Sequence, residues 1–262
     1  MSDHPLAGIG VLVTRPAHQS SELKNAIETA GGRAILFPVI DIAPRAAADV
    51  DTDVRALPNP DIIIFVSANA VRYGLERINS DKARIAAIGP ATTQALETAG
   101  VSVNIQPEGG FDSEHLLATP ALTHVAGKTI LIVRGSSGRE LLAETLRERG
   151  ASVHYLPVYD RHTRAPATGE LEKLEKTWRN GQIDAVMIMS VASLHALLEI
   201  LPAYCGGQLQ KIRLVAPGTR VIQTALERIS GLTGILSPGP GALDMTGALI
   251  ASLQPDADTD HG

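Results

Sequence analysis

Val11–Val39 reads VLVTRPAHQSSELKNAIETAGGRAILFPV, and Ile130–Val158 reads ILIVRGSSGRELLAETLRERGASVHYLPV. The two stretches align without a gap. Arg15 meets Arg134 at an offset of 119 residues (134 − 15), and Leu23 with Leu142, Gly31 with Gly150 and Pro38 with Pro157 keep it. One structural unit has been used twice, and a repeat of this kind restricts architecture more than any single motif. Each copy opens on a short apolar, β-branched run, passes a small polar turn, continues with helical periodicity, stops at glycine and resumes an apolar run. That order reads strand, helix, strand. Strands such as 10–14 and 129–133, apolar on both faces, belong in a parallel sheet covered by helices on each side, with a right-handed crossover.

The rest of each half repeats more loosely. Asp61-Ile-Ile-Ile-Phe-Val-Ser67 matches Asp184-Ala-Val-Met-Ile-Met-Ser190, each an apolar strand ending at serine before a helix. Arg84-Ile-Ala-Ala-Ile-Gly-Pro resembles Arg213-Leu-Val-Ala-Pro-Gly-Thr, again a strand followed by a Gly/Pro turn and a helix. Asp112-Ser113 and Met245-Thr246 stand as N-caps for helices beginning near Glu114 and Gly247. Two similar doubly wound α/β domains follow, with a ligand expected in the cleft between them. Phe37-Pro-Val-Ile-Asp and Leu156-Pro-Val-Tyr-Asp look like paired connectors. The residues alone leave open whether each βαβ unit joins its own half or the other.

With 262 residues, 44% of them hydrophobic, the chain can bury a substantial core. It has no apolar run of membrane-spanning length, and the opening MSDHPLAG lacks the basic and apolar regions of a signal peptide, so a cytoplasmic protein is expected. The single cysteine, Cys205, precludes an intramolecular disulfide and any cysteine-cluster metal site. A formal net charge of −5 and an aromatic content of 3% argue against nucleic acid as partner, because they offer neither a phosphate-binding surplus nor stacking platforms. The C-terminal QPDADTDHG reads as a frayed polar end.

In a doubly wound sheet the ligand lies at the carboxyl ends of the strands. The repeated turns fall there: Thr14-Arg15-Pro16, Ser67-Ala-Asn69, Gly89-Pro-Ala-Thr92, Arg134-Gly-Ser136-Ser137-Gly138 followed by Arg139, Ser190-Val-Ala-Ser193 and Pro217-Gly218-Thr219-Arg220. Each joins small residues, hydroxyls and free backbone N–H groups at a helix start, a receptor for carboxylate or phosphate. Ser67, Ser190, Thr92 and Thr219 are equally suited to capping helices with no ligand present. Arg15, Arg134 and Arg139 are harder to explain without a ligand, because a cation at a strand's carboxyl end calls for an anion, although a solvated surface would equally suit Arg139. No nucleophile elbow or Walker loop occurs, Pro238-Gly-Pro-Gly241 reads as a plain turn, and the histidines show no metal spacing. Tyr159, beside Pro157-Val158 at the connector, is placed to face the cleft, where a neutral phenol could donate a proton or hydrogen bond; the alternative is a packing strut. Its counterpart in the first copy is Ile40.

Taken in order, VLVTRP, the F-P-V after the first βαβ unit, IFVSANAV (64–71), AAIGPATTQAL (86–96) and the V-R-G-x-x-G-R-E-L-L stretch (133–142) resemble uroporphyrinogen-III synthases from Gly10 to about Leu253. The resemblance implies two α/β domains joined by a two-stranded linker with exchanged βαβ units, residues 1–38 and 159–262 forming one and 39–158 the other. It implies a cofactor-free, metal-free, cyclising hydro-lyase of haem and sirohaem biosynthesis. Its substrate would be hydroxymethylbilane, a linear tetrapyrrole rich in carboxylates, received in a transient handover from hydroxymethylbilane synthase. The implied reaction loses hydroxide from ring A to give an azafulvene, is attacked by ring D to form a spiro intermediate, and recloses with ring D inverted. Tyr159 corresponds to the family's tyrosine beside the leaving hydroxyl. Ser67, Ser190 and the turns at Thr92 and Thr219 correspond to its carboxylate-contacting loops, the last departing from the usual G-P-x-T so that either Thr219 or Arg220 could make the contact. A monomer is expected. The competing readings are a non-catalytic two-domain binding protein for an anionic small molecule and a response-regulator-like module, and the latter lacks its acidic pocket.

Overall fold

The computed structural model describes residues 4–254; of the tail expected to fray, all but Gln254 lies outside the described residues, as do residues 1–3. Among the described residues ten strands run in chain order: β1 (Gly10–Val13), β2 (Arg33–Leu36), β3 (Ile40–Pro44), β4 (Ile62–Phe65), β5 (Arg84–Ala87), β6 (Thr129–Gly135), β7 (Ser152–Thr163), β8 (Ala185–Met187), β9 (Arg213–Ala216) and β10 (Thr233–Leu236). The chain forms two compact units, one holding residues up to Asp41 and from His162 onward, the other holding Ile42–Arg161. It passes from one to the other twice, inside β3 and inside β7.

The first unit's sheet has the order β10-β9-β8-β1-β2, every neighbouring pair parallel. Numbered within the unit this is the 2-1-3-4-5 order of a doubly wound sheet, whose switch point lies between β1 and β8. The second unit's sheet runs β3-β7-β6-β4-β5, parallel from β7 to β5. Its switch point lies between β6 and β4, and Ile105 bridges Ala86 on the outer side of β5, as β10 flanks β9. Each βαβ unit is therefore exchanged: β1 pairs with β8 of the second half, and β6 with β4 of the first.

Strands with apolar side chains on both faces are buried from both sides. In the second unit Ile62, Ile64, Ile130 and Ile132 pack on one face, and Ile63, Phe65, Leu131 and Val133 on the other. Each such side chain contributes about 1.5–3 kcal/mol on burial. The two βαβ units close alike. Helix Ser21–Thr29 and helix Leu141–Glu148 lead to Gly31 and Gly150, both at φ 84°. Gly32 N–H then donates to Ile27 O, and Ala151 N–H to Leu146 O. This is the closure that needs a glycine in the left-handed region.

Two expectations fare differently at the later helices. Asp112 caps helix Ser113–Leu117 by accepting from His115 N–H. Its proposed counterpart fails: helix Ala242–Leu253 begins after Gly241, so Met245 and Thr246 lie inside it. Gly241 supplies the extended N-cap backbone and Asp244 stands in the first turn, where the helix dipole favours an acid, so the helix starts about a turn early. Thr246 Oγ1 is left buried without a hydrogen bond among the described residues.

The β6/β7 ladder is irregular at its carboxyl end. Arg134 lies opposite Pro157 but Gly135 opposite Tyr159, which leaves Val158 as an extra residue. Proline has no N–H for the ladder, and a bulge beside it puts successive side chains on one face. Val158 and Tyr159 accordingly pack in the same core cluster.

Candidate functional site

The bulge decides the position of Tyr159. The ring is turned into the core and only 1% exposed, as the packing-strut alternative requires. It packs on Tyr73, ring centroids 6.2 Å apart, and lies over Gly135, where a Cβ would come within 2.7 Å of Cε2. Gly135 is thus required by the tyrosine above it. The hydroxyl reaches the carboxyl end of the sheet, 3.1 Å from Ser67 Oγ and 3.0 Å from an N–H donor of Arg161. Ser67 is also the N-cap of helix Ala68–Gly74, accepting from Ala70 N–H at 3.0 Å. The tyrosine is both a packing strut and the middle member of a polar chain.

A pocket of about 180 Å³ opens beside it, lined by Val66, Ile88, Tyr155, Tyr159 and the arginines 134, 139 and 161. Arg134 is buried and committed within the protein. It pairs with Glu140 at 3.0 Å, donates to Gly135 O and lies 4.5 Å over the Tyr155 ring. Tyr155 completes the triangle by donating to the other Glu140 oxygen. The phenol of Tyr155 is pushed upward by burial and by that bond, and the Glu140 carboxyl is held below its usual range chiefly by Tyr155, then by Arg134. The anion called for by Arg134 is therefore internal. Arg139 is exposed and pairs with Glu114 at 3.3 Å, on the surface. Ser136 donates its N–H to Tyr159 O at 2.9 Å, tying the turn to β7.

Elsewhere in this unit Asn69 is buried in helix Ala68–Gly74. Gly89, not Thr92, is the N-cap of helix Pro90–Thr98, and no side chain caps it; Thr92 is buried in its first turn.

The carboxyl end of the first unit is plainer. Arg15 follows β1 half-buried and donates to Pro240 O at 2.5 Å, so the Pro-Gly-Pro-Gly turn has a partner. Desolvation draws this guanidinium below its ordinary value, with Glu22 opposing. Ser190 caps helix Val191–Ile200 by accepting from Ser193 N–H at 3.1 Å, and the two hydroxyls lie 2.9 Å apart, Ser193 being buried. Gly218 is the N-cap of helix Thr219–Arg228, again without a capping side chain. Thr219 and Arg220 are exposed at its start, and neither side chain makes a hydrogen bond or ion pair among the described residues. The pattern is regular: helices after β4 and β8 carry serine caps, whereas those after β5 and β9 start at glycine with no side-chain cap, the first of them with Pro90 contributing no N–H.

Reading the sequence missed Arg161, Glu140 and Tyr155. Arg161 had a signal, since it stands two residues from Tyr159 on one strand and so on the same face. Cys205 is fully buried, and desolvation pushes its thiol up to about 11, so it is chemically quiet. Among the described residues no group of three or more His, Cys, Asp or Glu could hold a metal, and no helix is long and apolar enough to cross a membrane.

The family model described as Uroporphyrinogen-III synthase HemD matches residues 21–231. A uroporphyrinogen-III synthase of Escherichia coli (strain K12) is 30% identical over 227 residues, covering 84% of this chain and 91% of that protein. One from Proteus mirabilis is 31% identical over 183 residues, 67% of this chain and 90% of the relative. Among solved structures, a mutant uroporphyrinogen III synthase from the extremely thermophilic bacterium Thermus thermophilus matches with a TM-score of 0.62 at 21% identity, over 94% of this chain and 99% of its own. That from Helicobacter pylori 26695 gives 0.61 at 15%, over 94% and 100%. At such identities the two structures speak for the fold alone.

Proposed function

Because the chain belongs to the uroporphyrinogen-III synthase family and is an enzyme of tetrapyrrole biosynthesis, we propose that it dehydrates hydroxymethylbilane and closes it to uroporphyrinogen III, inverting ring D through a spiro intermediate. The observation that carries this reading is the Tyr159–Arg161 pair, which lines an arginine-rich pocket and is bonded through the phenol to Ser67. Loss of hydroxide is the step that needs a proton, and a hydroxyl fixed between a serine and a guanidinium can supply it or orient the leaving group. A carboxylate-rich substrate accounts for the rest. Arg161, the helix starts after Gly89 and Gly218 that no side chain caps, and Arg15, Thr219 and Arg220 offer it positive ends and donors.

Asn69, Thr92, Ser136, Ser190 and Ser193 are proposed as further contacts, several of them already bonded internally. Arg134 and Arg139 hold glutamates, so a substrate carboxylate would reach them only by displacing Glu140 or Glu114. Holding the chain in the spiro-forming conformation and excluding water are the physical levers, because the substrate's own pyrrole chemistry drives closure. We further propose a cytoplasmic monomer that receives its substrate from hydroxymethylbilane synthase. The test is a coupled assay with freshly generated hydroxymethylbilane, oxidation of the product and separation of the type I and type III isomers. Mostly type III is expected; type I at the rate of a blank would refute the reading.

A further inference from the structure

Tyr159 is held by two neighbours of unequal chemistry. Arg161 can only donate, so the phenolic oxygen must accept at that contact of 3.0 Å. No carboxylate among the described residues lies within ion-pair reach of Arg161, and its guanidinium carbon sits 5.4 Å over the Tyr159 ring. With one side of the oxygen occupied by a cation, the phenolic hydrogen is left facing the other neighbour, Ser67 Oγ at 3.1 Å. A serine hydroxyl has two acceptor sites and one donor. One acceptor site is filled by Ala70 N–H at 3.0 Å and the second by Tyr159. Ser67 has only its own hydrogen left to give. It is also the partly exposed member of the pair, whereas Tyr159 is 1% exposed.

We infer that the proton reaching the leaving hydroxyl comes from Ser67 Oγ, that Tyr159 is the relay behind it, and that Arg161 is the positioning residue that sets the direction of the chain. The inference rests on the reaction proposed above. The C–O bond of the hydroxymethyl group breaks with its electron pair on oxygen, and that oxygen takes the Ser67 hydrogen and leaves as water. Ser67 Oγ takes the Tyr159 hydrogen in the same movement. The resulting phenolate is held by Arg161, and the substrate is left as the azafulvenium cation. The proton shed when the last pyrrole regains aromaticity after closure returns along the same path, so no further reactant is needed.

The experiment compares kcat, KM and isomer ratio for the unaltered protein, Ser67→Gly, Tyr159→Phe, the double variant, Arg161→Gln and Arg161→Lys. Glycine is nearly as good an N-cap as serine, and Ser67→Thr restores both cap and hydroxyl, so loss of the fold and loss of the donor are separated. Ser67→Gly is expected to lower kcat about 100-fold with KM little changed. The double variant should be no slower than Ser67→Gly alone, since both residues serve one path. Ser67→Thr and Arg161→Lys should recover part of the lost rate. A Ser67→Gly protein with kcat near normal beside an impaired Tyr159→Phe protein would overturn the inference and make Tyr159 the direct donor, as would additive losses. If the unaltered protein itself yields only type I at the blank rate, the reaction reading fails and takes this inference with it.

Discussion

The carboxyl ends of β1 and β6 are copies of one strand-turn-helix frame, yet they hold their arginines in different ways. Arg134 is buried in an ion pair with Glu140 and stacked on Tyr155, whereas Arg15 is half-buried and donates to a proline carbonyl. At the repeat's offset, the counterparts of Glu140, Tyr155, Tyr159 and Arg161 in the first copy are Ser21, Leu36, Ile40 and Ile42. The duplication kept the hydrophobic frame and the glycine closures but placed the polar cluster in one copy only. A repeated fold can therefore be read from either half, while its chemistry has to be sought where the halves differ.

The sharpest way to break this contrast is at Gly135, whose missing Cβ accommodates the Tyr159 ring. Gly135→Ala should cost about 2–3 kcal/mol through overpacking, read as a fall in denaturation midpoint, whereas Pro16→Ala at the equivalent turn should stay within about 0.5 kcal/mol. Next is Arg134→Ala, which removes bonds made by a buried cation and should cost about 2 kcal/mol in urea unfolding. Arg15→Ala should cost about half that or less. Equal losses would mean that the two arginines are held alike.

The smallest effect concerns acid. The Glu140 carboxyl has a folded-state value below its unfolded one, so its contribution is complete above the ordinary glutamate value of about 4.3 and disappears as pH falls through the folded value. Because this side chain is half exposed, the amount is about 1 kcal/mol or less. Glu140→Gln should flatten the stability-against-pH curve below about pH 4 by that much and leave it parallel to the original near neutrality. An unchanged acid limb would take Glu140 out of the cluster.

The fold was legible because its signals are local and repeated: both βαβ units, the serines after β4 and β8 and the paired closing glycines stand in the sequence. The helix beginning at Ala242 was misplaced because a plain Gly/Pro turn hid its N-cap glycine. The candidate site was legible only as positions. That Arg134 spends its charge on Glu140 depends on the strand neighbour Tyr155 and a turn of the chain. That Tyr159 points inward depends on a bulge at Pro157, and a bulge reverses the face of every residue after it. Neither leaves a mark in spacing or composition.

The most direct test of chemistry confined to one copy is kcat for type III formation in Tyr159→Phe against Ile40→Val, the two counterparts, measured side by side. The account predicts a fall of about 100-fold or more for the first and no change for the second; equal rates in both variants would contradict it.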